Sequence, residues 1–220
     1  MKKEVLDALL AAKALRQPVA LVTDTKSGAQ RIVTRDAVAP DSELEKAFRF
    51  DKSALVEAEF YAVHNPPLRL VVIGAVLIAQ SVIPMARTLG YDVTVIDPRG
   101  AFATGARFPE VPLHADWPQD VLPAFGMDAR TAFVALTHDP KIDDVALELV
   151  LKSNAFYIGA LGSRKSHTAR LERLTAKGFD ETTLARIAGP IGLSIGAVGA
   201  PEIAISILAQ MTKALRLGAL

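Results

Sequence analysis

The chain has 220 residues, half of them hydrophobic and 22% charged. That balance suits one large domain, or a small one joined to one of ordinary size, and excludes a disordered chain. The formal charge of +1 gives no global field to attract nucleic acid or anionic lipid. There is no cysteine, which removes disulfides, thiolate metal sites, a cysteine nucleophile and any persulfide carried by this chain, and agrees with a cytoplasmic location.

The opening stretch MKKEVLDALLAAKALRQ is too charged for a signal sequence. Val5, Leu6, Leu9 and Leu10 instead predict one apolar face of an amphipathic helix. Strands are expected at 19–23 and 30–34, joined by a turn at Thr25-Lys26-Ser27-Gly28, then loop and helix over 36–54 and a strand at 59–63. Pro66-Pro67 ends that pattern, because neither proline can continue a ladder. The expected division is therefore a small α+β domain over 1–65 and a larger one over 66–220.

Beyond it, apolar strands alternate with helical segments. Strands are predicted at 70–73, 92–96, 131–136 and 155–160, with a short one at 111–114. Helices are predicted at 76–89, 141–152, 164–177 and 201–216. Such alternation predicts an α/β domain, a parallel sheet with helices on both faces. Ligands of such sheets bind beyond the carboxyl ends of the strands. No apolar run is long enough for a membrane span.

The first strand end reads Gly74-Ala75-Val76-Leu77-Ile78-Ala79, with Asp97 about 20 residues on. A dinucleotide fingerprint needs glycine where Val76 stands, so that a pyrophosphate can reach the backbone. Pro84 also falls inside the helix that follows and crowds the carbonyl of Gln80. Gly74 and Ala75 precede a helix N-terminus suited to an anion, or they form a turn kept for packing. Asp97 is placed to accept from a ribose and Arg99 to pair with a phosphate. The plain alternative is a solvated Asp97 salt-bridged to Arg99.

Thr137-His138-Asp139-Pro140-Lys141-Ile142-Asp143-Asp144 follows the third strand and puts a hydroxyl, an imidazole, carboxylates and an ammonium in one short stretch. His138 and Asp139 suit proton transfer or a metal, whereas Asp139 before Pro140 is also complete as a helix N-cap. No second histidine stands at metal-ligand spacing. The next strand runs into Gly159-Ala160-Leu161-Gly162-Ser163-Arg164-Lys165, where glycine backbone, a hydroxyl, helix N–H groups and two cations suit a phosphate. Arg170 and Arg173, opposed only by Glu172, make the following face basic. A helix capped by Ser163 with ordinary surface cations is the plain alternative. Gly189, Gly192, Gly196 and Gly199 then precede the last helix, and glycine at this density brings backbone close to a ligand or to other loops. His64, His114 and His167 are isolated and read as structural or exposed. Neither Gly-x-Ser-x-Gly nor a Walker loop occurs.

In order, VVIGA, VTVIDPRGAFA, ALTHDPKIDD, YIGALGSRKSHTARLERL, GPIGLSIGA and PEIAISILAQ resemble the XdhC/CoxI family of xanthine dehydrogenase accessory proteins over about 66–215. The resemblance implies a Rossmann-like C-terminal domain preceded by a reduced N-terminal one. It implies an accessory protein or chaperone that binds the molybdenum cofactor (molybdopterin) and protects it while a cysteine-desulfurase-type sulfurase modifies it. Insertion into an apo-enzyme of the molybdenum hydroxylase class, of xanthine dehydrogenase or CO dehydrogenase type, would follow. The expected cofactor-facing residues are Gly74, Ala75, Asp97, Arg99, Thr137, His138, Asp139, Gly159, Gly162, Ser163, Arg164, Lys165, Gly192 and Gly196, with no metal ligand and no catalytic residue. Leu77, Ser194 and Val198 depart from the histidine, acid and base common in the family. Two other classes remain: an NAD(P)-dependent oxidoreductase using Asp97, Arg99 and His138, and a ligand-less scaffold. The partners expected under the family reading include a second copy of the chain, in a homo-oligomer.

Overall fold

A computed structural model describes residues 1–218, in two compact units that divide between Pro66 and Pro67. The first unit is a four-stranded antiparallel sheet with two helices. Helix α1 (Lys3–Ala14) precedes β1 (Val19–Asp24) and β2 (Gln30–Thr34); after a short 3-10 turn come α2 (Glu43–Arg49), β3 (Ala54–Val56) and β4 (Glu59–His64). The strand order is β2-β1-β4-β3. Asp24 closes the first hairpin by accepting from the N–H groups of Lys26 and Ser27, both at 2.8 Å.

On α1 only Leu9 and Ala12 are buried, against Val19 and Ile32. Leu6 and Leu10 of the predicted apolar face stay exposed, because the docked row is narrower than the apolar stripe. The predicted loop and helix over 36–54 runs on into β3.

The second unit has six strands: β5 (Leu68–Ile73), β6 (Tyr91–Ile96), β7 (Leu113–His114), β8 (Thr131–Ala135), β9 (Tyr157–Ala160) and β10 (Ile187–Ala188). All pair in parallel, in the order β10-β9-β8-β5-β6-β7. This is the doubly wound Rossmann order, in which chain direction across the sheet reverses between β5 and β8. Helices α3 (Leu77–Thr88), α4 (Pro118–Phe125), α5 (Pro140–Val150), α6 (Arg164–Ala176), α7 (Glu181–Leu184) and α8 (Ala200–Leu217) complete it.

Side chains alternate along each strand, so the sheet has two apolar cores. Leu70, Val72, Val93, Val95 and Val134 pack towards Val82, Ile83, Ile207 and Met211 of α3 and α8. Val71, Ile73 and Phe133 pack towards Leu122, Ile142, Leu147 and Leu174 of α4, α5 and α6. Helix α3 runs through Pro84 without ending. No described helix is long and apolar enough to cross a membrane.

Candidate functional site

The carboxyl ends of β5 and β8 meet where the strand order reverses. Gly74 follows β5 at φ +108°, and a Cβ on it would lie 2.9 Å from Thr137 Cγ2 and 3.2 Å from the Thr137 nitrogen. Glycine is thus required both by conformation and by the wall that Thr137 forms. Gly74 and Ala75 are buried here and face protein.

Asp97, at the end of β6, is fully buried and so is not the solvated turn residue of the sequence reading. Its Oδ2 accepts from the Ala75 N–H at 2.7 Å and from Arg99 Nη2 at 2.8 Å, and its Oδ1 from Arg99 N and Nε at 3.0 and 2.9 Å. Burial pushes the carboxyl up, but the bonds from Arg99 and from Ala75 outweigh it and hold it below the usual range. A ribose would have to break these bonds. Arg99 also lies over the half-exposed Phe102 ring, 4.8 Å from its centroid.

After β8 the chain turns through Thr137 and His138 into α5. Asp139 caps that helix by accepting from Lys141 N at 2.9 Å, with Pro140 in the first turn. Asp143, buried on α5, accepts from Thr137 Oγ1 at 2.6 Å and from the His138 N–H at 3.0 Å. These bonds hold exposed His138 at φ +63°, uncommon for a side chain with a Cβ. Burial pushes the Asp143 carboxyl up despite those donors. Among the described residues no three His, Asp or Glu side chains form a metal-holding group.

Ser163 caps α6, its Oγ accepting from Ser166 N at 3.1 Å, while Arg164 and Lys165 stand exposed beside it. Gly162 is at φ +148°, and a Cβ there would lie 3.2 Å from that of Ser166. The face that follows is not the open basic surface of the sequence reading. Arg173 donates to both oxygens of Asp144 on α5, at 2.5 and 3.1 Å, and Arg170 is only 4% exposed. Arg170 Nη2 donates to the Leu161 carbonyl at 2.9 Å, whereas Nε and Nη1 are buried without a hydrogen-bond partner. A cleft of about 400 Å³ opens between α5 and α6, with Pro140, Asp144, Lys165, Ser166, Arg170 and Arg173 on its walls.

Three of the expected glycines have the following surroundings in the fold. Gly159 is buried in β9, and the space where its Cβ would stand holds Ile191 and the Tyr157 ring. Gly192 is at φ +93° against Ser206 and donates to Gln210 Oε1 at 2.7 Å, an atom that also accepts from the Tyr157 hydroxyl. Gly196 is exposed with nothing around it. Of these, Gly192 brings the loop backbone against helix α8. His167, read as isolated, presses its ring against the Gly189 backbone; its Nδ1 is buried without a hydrogen-bond partner. Burial, then the charge of Arg170, push it below its ordinary range.

The family described as the XdhC Rossmann domain matches residues 70–211. The chain belongs to the XdhC family. It is 30% identical over 147 residues to the molybdenum cofactor insertion chaperone PaoD of Escherichia coli, a match covering 67% of this chain and 40% of that protein. It is 31% identical over 148 residues to a probable xanthine dehydrogenase subunit of Bacillus subtilis, covering 67% and 43%. A crystal structure described as a xanthine dehydrogenase from Bacillus halodurans superposes with a TM-score of 0.68 at 26% identity, covering 98% of this chain and 63% of that one. The matches span less than half the length of the two named relatives. Asp143 and Asp144 belong to the string 137–144 marked in the sequence for its carboxylates; what local sequence could not reveal is their partners, Thr137 and His138 for Asp143 and Arg173 of α6 for Asp144.

Proposed function

We propose that this XdhC-family chain binds the molybdenum cofactor, holds it for a cysteine-desulfurase-type sulfurase, and assists its insertion into a molybdenum hydroxylase of xanthine dehydrogenase or CO dehydrogenase type. The observation that carries this reading is the 30% identity to a protein named as a molybdenum cofactor insertion chaperone. The residues fit a phosphate-bearing ligand: Ser163, Arg164 and Lys165 stand exposed at the first turn of α6, entered through Gly162.

The bound cofactor would bring the molybdenum and the pterin phosphate. The chain's own part is to bind and orient. Arg164 and Lys165 attract the phosphate at the α6 N-terminus, where helix N–H groups favour an anion. His138 and Arg99 face the ligand from the neighbouring strand ends. Gly74, Ala75, Asp97, Thr137 and Asp139 shape that edge from beneath. With no cysteine in the chain, sulfur passes from the sulfurase to the cofactor without a carrier thiol here. A cytoplasmic setting belongs to the same proposal.

The test is expression of the chain in cells that make the cofactor and in cells that do not, followed by oxidation of the purified protein and pterin fluorescence. Bound pterin from the first source alone supports the reading. Its absence, together with failure to load purified cofactor in solution, overturns it.

A further inference from the structure

The cleft between α5 and α6 is built around a buried guanidinium, flanked by the charges of Asp143 and Asp144, whose hydrogen-bonding capacity the protein does not fill. Arg170 lies on the second turn of α6, 4% exposed. Of its three nitrogens only Nη2 has a partner, the Leu161 carbonyl; Nε and Nη1 have none within hydrogen-bond reach. Asp144 Oδ1 is 3.9 Å from Nε, too far for a hydrogen bond. That carboxylate is already engaged by Arg173. Buried donors without acceptors are costly, and a guanidinium keeps its charge and its fork of N–H groups at any ordinary pH.

Other features point the same way. The first turn of α6 borders the cleft at Lys165 and Ser166 and brings partial positive charge, whereas that of α5 borders it at Pro140 and is neutralised by Asp139 and Asp143. Lys165 and Ser166 stand exposed on its wall. No acidic residue lies in the first turn of α6. A bidentate guanidinium, an ammonium, a hydroxyl and helix N–H groups together suit the tetrahedral oxygens of a phosphoryl group.

We propose that this cleft is a phosphoryl-binding subsite for an organic phosphate ester, with Arg170 as its buried charge and Asp144 as an internal anion that the ligand displaces. Arg173, whose side chain is 41% exposed, leaves Asp144 and closes over the phosphate. Lys165 and Ser166 complete the shell. The proposal rests on the reading above only for the source of the phosphate, the pterin cofactor. The cleft moves the principal anion contact from the glycine turn to the inner side of α6.

The experiment titrates the full chain with inorganic pyrophosphate by calorimetry, then repeats the titration with pterin cofactor already bound. Pyrophosphate should bind saturably and compete with the cofactor. Lys165→Ala with Ser166→Ala should weaken both ligands about tenfold, the loss of one charge-assisted contact. Asp144→Asn should tighten pyrophosphate binding several-fold, because the competing anion is gone; a purely structural Asp144 gives no gain. Arg170→Gln should abolish binding, and the Lys165/Ser166 double variant and Asp144→Asn carry the test if that protein does not fold. Pyrophosphate affinity that is undetectable, or unchanged in both of those variants, overturns the subsite. Cofactor binding that pyrophosphate does not disturb overturns it too, and leaves the cofactor reading standing. Pyrophosphate binding with the Asp144→Asn gain but no pterin binding supports the subsite and removes the pterin as its source.

Discussion

The carboxylate of Asp97 accepts the N–H of Ala75 at 2.7 Å, tying the end of β6 to the loop after β5. In a dinucleotide site the acid at this position reaches outward to a ribose. Here it faces inward, and Arg99 Nε donates to its other oxygen at 2.9 Å. Asp97→Asn keeps the size and removes the charge. It is expected to cost about 2–4 kcal/mol of stability, towards the lower end because Arg99 is partly open to solvent. Urea unfolding measures this; unchanged stability would mean that the pair does not hold the two strand ends.

Acid should act on the same tie. Asp97 is held below its ordinary value of 3.8, so its contribution is complete above that pH and is lost as pH falls through the lower folded value. Asp97→Asn should therefore flatten the acid limb of the stability curve below about pH 4.

His167 should govern the mildly acidic range. It is pushed below 6.5 by burial and then by Arg170, and burial gives His64 in the first unit the same sign. A base with a depressed folded pKa contributes fully above its ordinary value and loses that contribution as pH falls. Unfolding free energy should drop between pH 7 and 5, and His167→Asn should flatten part of that drop. An identical slope in the variant would assign it elsewhere.

Gly159→Ala would place its Cβ 2.5 Å from Ile191 Cδ1 and 2.8 Å from Tyr157 Cε1. The expected loss is about 1–3 kcal/mol from overpacking. Ile191→Val removes that Cδ1 and should recover part of it in a double-mutant cycle. A glycine needed for ligand approach would instead lose binding while its thermal midpoint held.

Asp143 supplies acceptors to both Thr137 and His138. An Asn amide there turns one acceptor into a donor, so Asp143→Asn leaves an N–H or O–H unmet whichever way it points. About 1–3 kcal/mol should be lost. Amide hydrogen exchange at His138 should quicken, since its φ of +63° depends on that bond.

Much of the second unit was legible because its strands are continuous apolar runs between helices with clear ends. Gly90, Pro140, Ser163 and Pro201 marked those ends, and the predicted boundaries fall within about two residues of the observed ones. Helix α4 was missed because Pro123 lies inside it, and β3, α7 and β10 because two to four residues carry no periodicity. At the site, the Asp139 and Ser163 caps could be read from local spacing. The pairing of Arg173 with Asp144 and the burial of Arg170 could not: they depend on α5 and α6 lying side by side, a separation of about 29 residues in sequence. The roles of Gly159 and Gly192 were hidden for the same reason, since a glycine that admits a distant side chain looks like one that admits a ligand.

The most direct test of the proposed role is transfer. The chain, loaded with sulfurated molybdenum cofactor, is mixed with the cofactor-free hydroxylase of its own organism, and recovered hydroxylase activity is compared with that given by the same amount of free cofactor. Activity that returns faster and more completely from the loaded chain, with pterin leaving it in step, is the predicted result. Loaded chain that keeps its pterin, or that gives no more activity than free cofactor, would contradict it.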